Sequence, residues 1–231
     1  MPYQSECLSA LKSTANIHKP FEKTFMDTMK LFMAIPDSIN FLQLGRCGCF
    51  SEQTYRNLFE YETFNWFAFN GSFISKYLTG KRKAIAIDPS YIPKSDKKTP
   101  WIGYFWSGRA GEYKRGLEIM GIGVIDIDNL ECITLGSIQT PDGKQHAGII
   151  NCQSTDFRKL DFHFKASLAA INLAKAACKR LGITYSISSC KPFIHNAYML
   201  ERFICVFWIN PDPQVIDKLF KEIILFTARA A

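Results

Sequence analysis

The sequence predicts an α+β fold in which helical segments at both ends of the chain enclose a strand-rich middle. Three observations predict it. Apolar residues recur every three or four positions within residues 1–80 and again from Asp161 onward. Between those stretches, residues 81–141 hold isoleucine-rich runs bounded by turn residues. The composition is that of a folded globular chain: of 231 residues, 47% are apolar and 21% charged, which excludes a disordered protein.

The elements follow in order. Phe21, Phe25, Met29, Phe32 and Met33 form a helical stripe that Pro36 ends. Asn40 to Leu44 offers a short second helix, the glycines of G-R-C-G a turn, and Ser51 an N-cap for S-E-Q-T-Y-R-N-L-F-E-Y. Helix, glycine turn and helix, with Gln53, Thr54 and Arg56 exposed early, has the form of a helix-turn-helix. An ordinary helical bundle with a polar face has the same pattern. Ala84 to Asp88 reads as a short buried strand, followed by a long basic loop. Leu117 to Asp128 and Leu130 to Ile138 then form a hairpin about Asp128-Asn129. Residues 142–159 are polar and loop-like. Asp161 is placed to cap a helix carrying Phe164, Leu168, Ile171, Ala174, Cys178 and Leu181, which Gly182 ends. A second helix covers His195 to Trp208. A third starts near Pro213 with Val215, Ile216, Leu219, Phe220, Ile223 and Ile224 on one face. The chain thus divides into residues 1–80, 81–141 and 142–231.

The net charge is +7, which favours anionic partners, nucleic acid among them. The eight cysteines include no C-x-x-C pair and no zinc-type spacing, so they read as reduced thiols of a cytoplasmic protein. No signal-type N-terminus and no apolar run of membrane-spanning length is present.

Asp88 is the residue that raises a functional question. It ends an apolar strand and is followed by Pro89. Six basic residues lie between positions 81 and 98, against Asp88 and Asp96. A strand-end turn former and a metal ligand both fit Asp88. The lysines fit a solvated loop or a surface for DNA phosphates. Two-metal phosphodiester chemistry needs several acids around ions about 3.5–4 Å apart. Glu118 reads as an outward strand residue, Asp126 and Asp128 as a solvated hairpin tip, Asp161 as a cap, and Glu201 as paired or exposed. Trp101, Tyr104 and Trp106 beside the basic loop read as core packing or as a surface for stacking an unpaired base. His146, His163 and His195 read as packing or polar surface residues.

Two blocks carry a family resemblance. A-I-A-I-D-P-S-Y-I-P-K-S-D-K-K-T with G-Y-F-W-S-G-R-A-G-E-Y-K-R-G-L-E-I resembles the first catalytic block of bacterial insertion-sequence transposases of the DDE type, nearest to the insertion sequence 4 family. F-R-K-L-D-F-H-F-K-A-S-L-A-A-I-N-L-A-K with H-N-A-Y-M-L-E-R-F-I resembles the C-terminal end of the same proteins. The resemblance implies a ribonuclease-H-like core, here a partial one with a three-strand sheet. It implies Asp88 as the first catalytic acid and metal ligand, Mg²⁺ or Mn²⁺ as cofactor, and transposon-end DNA as partner. Lys94, Lys97, Lys98 and Lys144 become DNA-binding residues. No membrane and no small-molecule substrate is implied.

The chain also departs from the family. Its signature Y-x-x-R-x-x-x-E-x-x-x-x-x-x-K can be aligned so that its last residue falls on Lys144. The Glu, Arg and Tyr positions then hold Ser137, Ile133 and Leu130. An internal deletion near Asp142, joining Q-T-P-D to D-G-K-Q, accounts for this and removes the second Asp and the Glu. The expected product is a transposase-like protein that binds DNA but is catalytically incomplete. An active enzyme recruiting substitute acids (Glu118, Asp126 or Glu201) and a self-associating, non-enzymatic remnant are the alternatives. In the remnant, the apolar run A-Y-M-L-E-R-F-I-C-V-F-W would drive association.

Overall fold

The stripe beginning at Phe21 forms helix α2 (Lys19–Ala34). Pro20 sits in its first turn, and the ring of His18 accepts the Phe21 N–H at 3.1 Å. Its buried face carries Phe21, Phe25, Met29, Phe32 and Met33, the residues whose spacing defined it. The computed structural model describes residues 2–14, 17–35, 39–95, 99–140, 156–180, 182 and 187–206. Helix α1 (Pro2–Leu11) precedes α2, and α3 (Phe41–Cys47), α4 (Glu52–Phe59) and α5 (Trp66–Tyr77) follow it. Asn40 and Gln43 close a capping box on α3, Ser51 caps α4, and Asn65 caps α5.

The middle of the chain is an antiparallel sheet of β1 (Lys83–Pro93), β2 (Gly103–Ser107), β3 (Glu112–Asp126) and β4 (Glu131–Thr140). The α+β class therefore holds, with four strands in place of the expected three. The segment expected as a long basic loop contains β2, which pairs with the first part of β3 from Gly103↔Gly116 to Ser107↔Glu112. Beyond Gly116, β3 pairs with β1 (Pro93↔Gly116 to Lys83↔Asp126) and with β4 (Thr140↔Glu118 to Glu131↔Asp126). Gly116 lies where both partners converge: a Cβ there would sit 2.2 Å from the Ile92 carbonyl oxygen and 2.5 Å from the Tyr91 ring.

Helices α6 (Phe157–Arg180) and α7 (Ile187–Val206) complete the described chain. Asp161 does not cap α6. It lies one turn inside, where its carboxylate accepts from Lys165 Nζ at 2.6 Å. Gly182 follows α6 in the left-handed region (φ +65°), as a helix-ending glycine should. The third C-terminal helix expected from Pro213 lies outside the described residues.

One core joins the two ends of the chain. Cys7 and Leu11 of α1, Phe25 and Met29 of α2, Phe69 and Phe73 of α5, and Ala166, Ala169 and Leu173 of α6 belong to it. The alanines of α6 let the helices approach closely, and the phenylalanines fill the space between them. A smaller cluster, Ile92, Leu117 and Ile119 of the sheet with Leu160 and Phe164 of α6, anchors the sheet to that helix.

The outer edge of β4 is closed by side chains from two helices. Asn172 of α6 donates to the Thr134 carbonyl at 2.7 Å and accepts the Thr134 N–H at 3.1 Å, so its amide replaces a neighbouring strand. The same Asn172 donates to Asn70 of α5 at 2.9 Å, and Asn70 donates to the Leu135 carbonyl at 3.1 Å. Leu135 is the extra residue of a bulge, since the register jumps from Ile122↔Gly136 to Gly123↔Thr134. Lys175 donates to the Cys132 carbonyl at 2.6 Å, and Lys179 reaches Glu131 at 2.6 Å.

Candidate nucleic-acid interface

Strand β1 does not bury Asp88. The strand runs on through Pro89 to Pro93, so Asp88 sits at mid-strand opposite Gly121, with no turn after it, and it is exposed. Ile85 and Ile87 are also exposed, at 74% and 61%. This corrects the expectation of a buried strand ending in a carboxylate. The physical reason is that no strand or helix among the described residues covers that part of β1.

The other acids are committed elsewhere. Asp126 is buried, and its carboxylate accepts from the backbone of Gly80 (2.7 Å), Asp128 (3.1 Å) and Asn129 (3.1 Å) and from the Asn129 side chain (2.8 Å). Desolvation pushes its pKa up, and the side-chain hydrogen bond from Asn129 together with the three backbone donors outweighs it, holding the carboxyl below its ordinary value. Asp128 accepts from the Lys81 and Arg82 backbone N–H groups at 2.9 Å and from Arg82 Nε at 2.6 Å. The backbone and side-chain donors of Arg82 hold it, too, below the ordinary carboxylate range. These two residues organise the turn, and Asp126 is not the solvated tip residue expected. Glu118 is buried rather than outward. Glu201 pairs with Lys30 at 2.6 Å, as expected of a paired residue.

Asp88 is thus a single exposed carboxylate. Among the described residues, no group of three or more His, Cys, Asp or Glu side chains is placed to hold a metal ion. The described donors therefore do not fit the two-metal centre that the resemblance implies.

The β2–β3 hairpin presents exposed aromatic and basic side chains at one end of the sheet, whereas Lys83, opposite Asp126, stands at the other end of β3. Residues 81–115 hold nine Lys and Arg against three acids, a net +6 of the chain's +7. The β2–β3 hairpin turns through Ser107–Gly111, where the Gly111 N–H donates to the Ser107 carbonyl at 2.8 Å and φ is +66°. The cross-strand pairs Tyr104↔Arg115 and Trp106↔Tyr113 share one face of it. Tyr104 and Tyr113 are 73% and 60% exposed, and Tyr113 meets Trp106 edge to face with centroids 5.5 Å apart. Trp101, at positive φ, is exposed at the approach to β2. Trp101 and Tyr104 are therefore not core residues as the packing reading had them, whereas Trp106 is half-buried.

The basic residues around this surface differ in how firmly they are held. Arg115 Nη1 donates to the Ser95 carbonyl at 2.7 Å, and Tyr91 Oη donates to the Arg115 carbonyl at 2.9 Å, which fixes the chain leaving β1. Lys114 is 3.1 Å from Glu112. Arg109 is exposed at the hairpin turn. Lys94 is half-buried, and its charge reaches His163. Lys97, Lys98, Lys144 and His146, and the junction near Asp142, lie outside the described residues.

The helical region offers a poorer surface for reading bases. Helices α3 and α4 follow one another across Gly48, as expected from the sequence. Yet Arg56 pairs with Glu52 and lies 4.6 Å from the Phe41 ring centroid, and Gln53 donates to Asn57 at 2.8 Å. Tyr55, at the same turn, donates to Asp27.

Sequence reasoning missed Tyr113 and the hairpin that carries it. The signal was present: W-S-G-R-A-G-E-Y places aromatics on both sides of a short glycine-containing connection, a hairpin pattern.

Comparison with family models, with curated proteins and with solved structures returns no match to this chain. No helix among the described residues is long and apolar enough to cross a membrane. The cysteines whose side chains are described, Cys7, Cys47, Cys49, Cys132 and Cys178, are free thiols.

Proposed function

We propose that this chain is a transposase-derived DNA-binding protein that holds DNA without cutting it. The observation that carries the reading is the concentration of +6 of the +7 net charge in residues 81–115, in the segment whose hairpin exposes Tyr104 and Tyr113. Lys and Arg attract the phosphate backbone, and flat exposed rings stack on bases. Among the described residues, no group of acids is placed for the chemistry of cleavage. Asp88 stands on an exposed strand, Asp126 accepts four hydrogen bonds, and Glu201 is paired with Lys30. The family resemblance of the two blocks supplies the DNA substrate class, and the committed acids argue against the enzyme that recruits them.

The test is titration of labelled duplex and single-stranded DNA across a salt series, beside a nicking assay on supercoiled DNA with Mg²⁺ or Mn²⁺. Binding that weakens with salt is expected. Replacing Arg109, Lys114 and Arg115 together by Gln should make the salt dependence shallower by roughly two to three phosphate contacts. Tyr104→Ala should weaken single-strand binding about tenfold. No binding at low salt, or nicking that Asp88→Asn abolishes, would overturn the reading.

A further inference from the structure

Between Lys83 and Asp88 no strand among the described residues pairs with the outer edge of β1, and Ile85 and Ile87 stand exposed on one face. An unpaired strand edge with exposed apolar side chains is a template for another strand. We propose that it pairs with the same edge of a second copy of this chain, antiparallel, about a two-fold axis at Ala86.

Symmetry and sequence together select that axis. A two-fold axis normal to the sheet keeps every side chain on its own face, and opposed residues in a strand pair share a face. Opposed residues must then be both odd or both even in number. Centring on Ala86 sets Ile85 of each copy against Ile87 of the other, so four isoleucines meet on one face. Centring on Ile85 would set Lys83 against Ile87, and centring on Ile87 would set Ile85 against Pro89. Of these three axes, only the one at Ala86 opposes isoleucine to isoleucine in two pairs on the exposed face.

Charge selects the direction. Lys81, Arg82 and Lys83 stand at one end of the segment and Asp88 at the other. Antiparallel pairing brings the basic end of each copy to the acidic end of its mate, whereas parallel pairing sets like beside like. Pro89 has no N–H to donate, which ends the ladder and, with the axis at Ala86, limits it to Ala84–Asp88. So short a ladder buries less than the roughly 1,000 Å² of a stable complex. The dimer is accordingly weak and forms with rising concentration.

Sedimentation of the full chain from about 5 μM to about 1 mM tests this. A shift from monomer to dimer is expected, and Ile85→Lys with Ile87→Lys should abolish it without changing the circular dichroism spectrum. Ala86→Cys tests the axis itself. Directly opposed residues have Cα atoms about 4.5–5.5 Å apart, within disulfide reach. Mild oxidation should therefore join position 86 to position 86, identified by peptide mass against the native cysteines. Ala84→Cys should not join to itself, because its symmetry mate lies about 13 Å away along the strands. A monomer at every concentration, with the edge taken by the chain's own residues or by none, would overturn the proposal. So would a dimer that the double lysine variant leaves intact.

Discussion

The two edges of the sheet are treated in opposite ways. At the β4 edge, Asn172 supplies a donor and an acceptor to Thr134, Asn70 takes the Leu135 carbonyl, and Lys175 takes that of Cys132. Two helices thereby do the work of a missing strand. At the β1 edge, Ile85, Ile87 and Asp88 face solvent. Both edges belong to the same sheet and share β3 as neighbour. The difference teaches that edge closure is a property of what packs alongside. A side-chain amide can complete a ladder where helices lie close, and where none of the described elements lies close the strand keeps its valency.

The comparison breaks most visibly at Asn172. Asn172→Ala leaves the half-buried Thr134 N–H and carbonyl and the buried Asn70 Oδ1 without their partner. Its expected cost is about 4 kcal/mol, read from urea unfolding. A loss below about 1 kcal/mol would mean that the β4 edge needs no closure.

Acid should strain the same covered side next. His163 of α6 is buried against Phe32 and Phe59, with centroids 5.2 and 6.4 Å away. Burial, helped by the charge of Lys94, lowers its pKa to about 4. The unfolded chain takes up the proton near pH 6.5 and the folded chain does not. Stability from this residue is therefore full above pH 6.5 and is lost as pH falls from 6.5 toward 4, by about 3 kcal/mol. His163→Phe should flatten that part of the stability–pH profile, and an unchanged profile would place the sensitivity elsewhere.

The open edge should register least. Asp88→Asn touches a solvated side chain, so unfolding should shift by no more than about 0.5 kcal/mol. A larger loss would reveal a partner for this carboxylate and erase the contrast between the edges.

The legibility of these regions in the sequence divides along similar lines. Helices α3 and α4 were readable, because Asn40 and Ser51 satisfy backbone donors within their own turn. The β2–β3 hairpin left only its turn signal, because Glu112, Lys114 and Arg115 break the apolar run while their backbone still pairs. Asp126 looked like a tip residue, because the donor from Gly80 comes from 46 positions away. Asn172 left a faint trace. It shares the buried stripe of α6 with Ala169, Leu173 and Ala176, and a polar residue in that row demands a partner. Asp88 was recognisable as an isolated carboxylate, but its exposure depends on which neighbours β1 lacks, and no local pattern records that.

The Asn70–Asn172 bond joins residues 102 positions apart, and Arg180 reaches back to Ser5 across 175. The β1–β3 and β3–β4 pairings, by contrast, all fall within residues 83–140. During synthesis the sheet can assemble as soon as residue 140 is available, while the phenylalanines of α2 and α5 must wait for the alanine face of α6. Nascent chains will thus pass through an interval in which a formed sheet hangs beside an uncovered aromatic cluster, the kind of surface that chaperones retain.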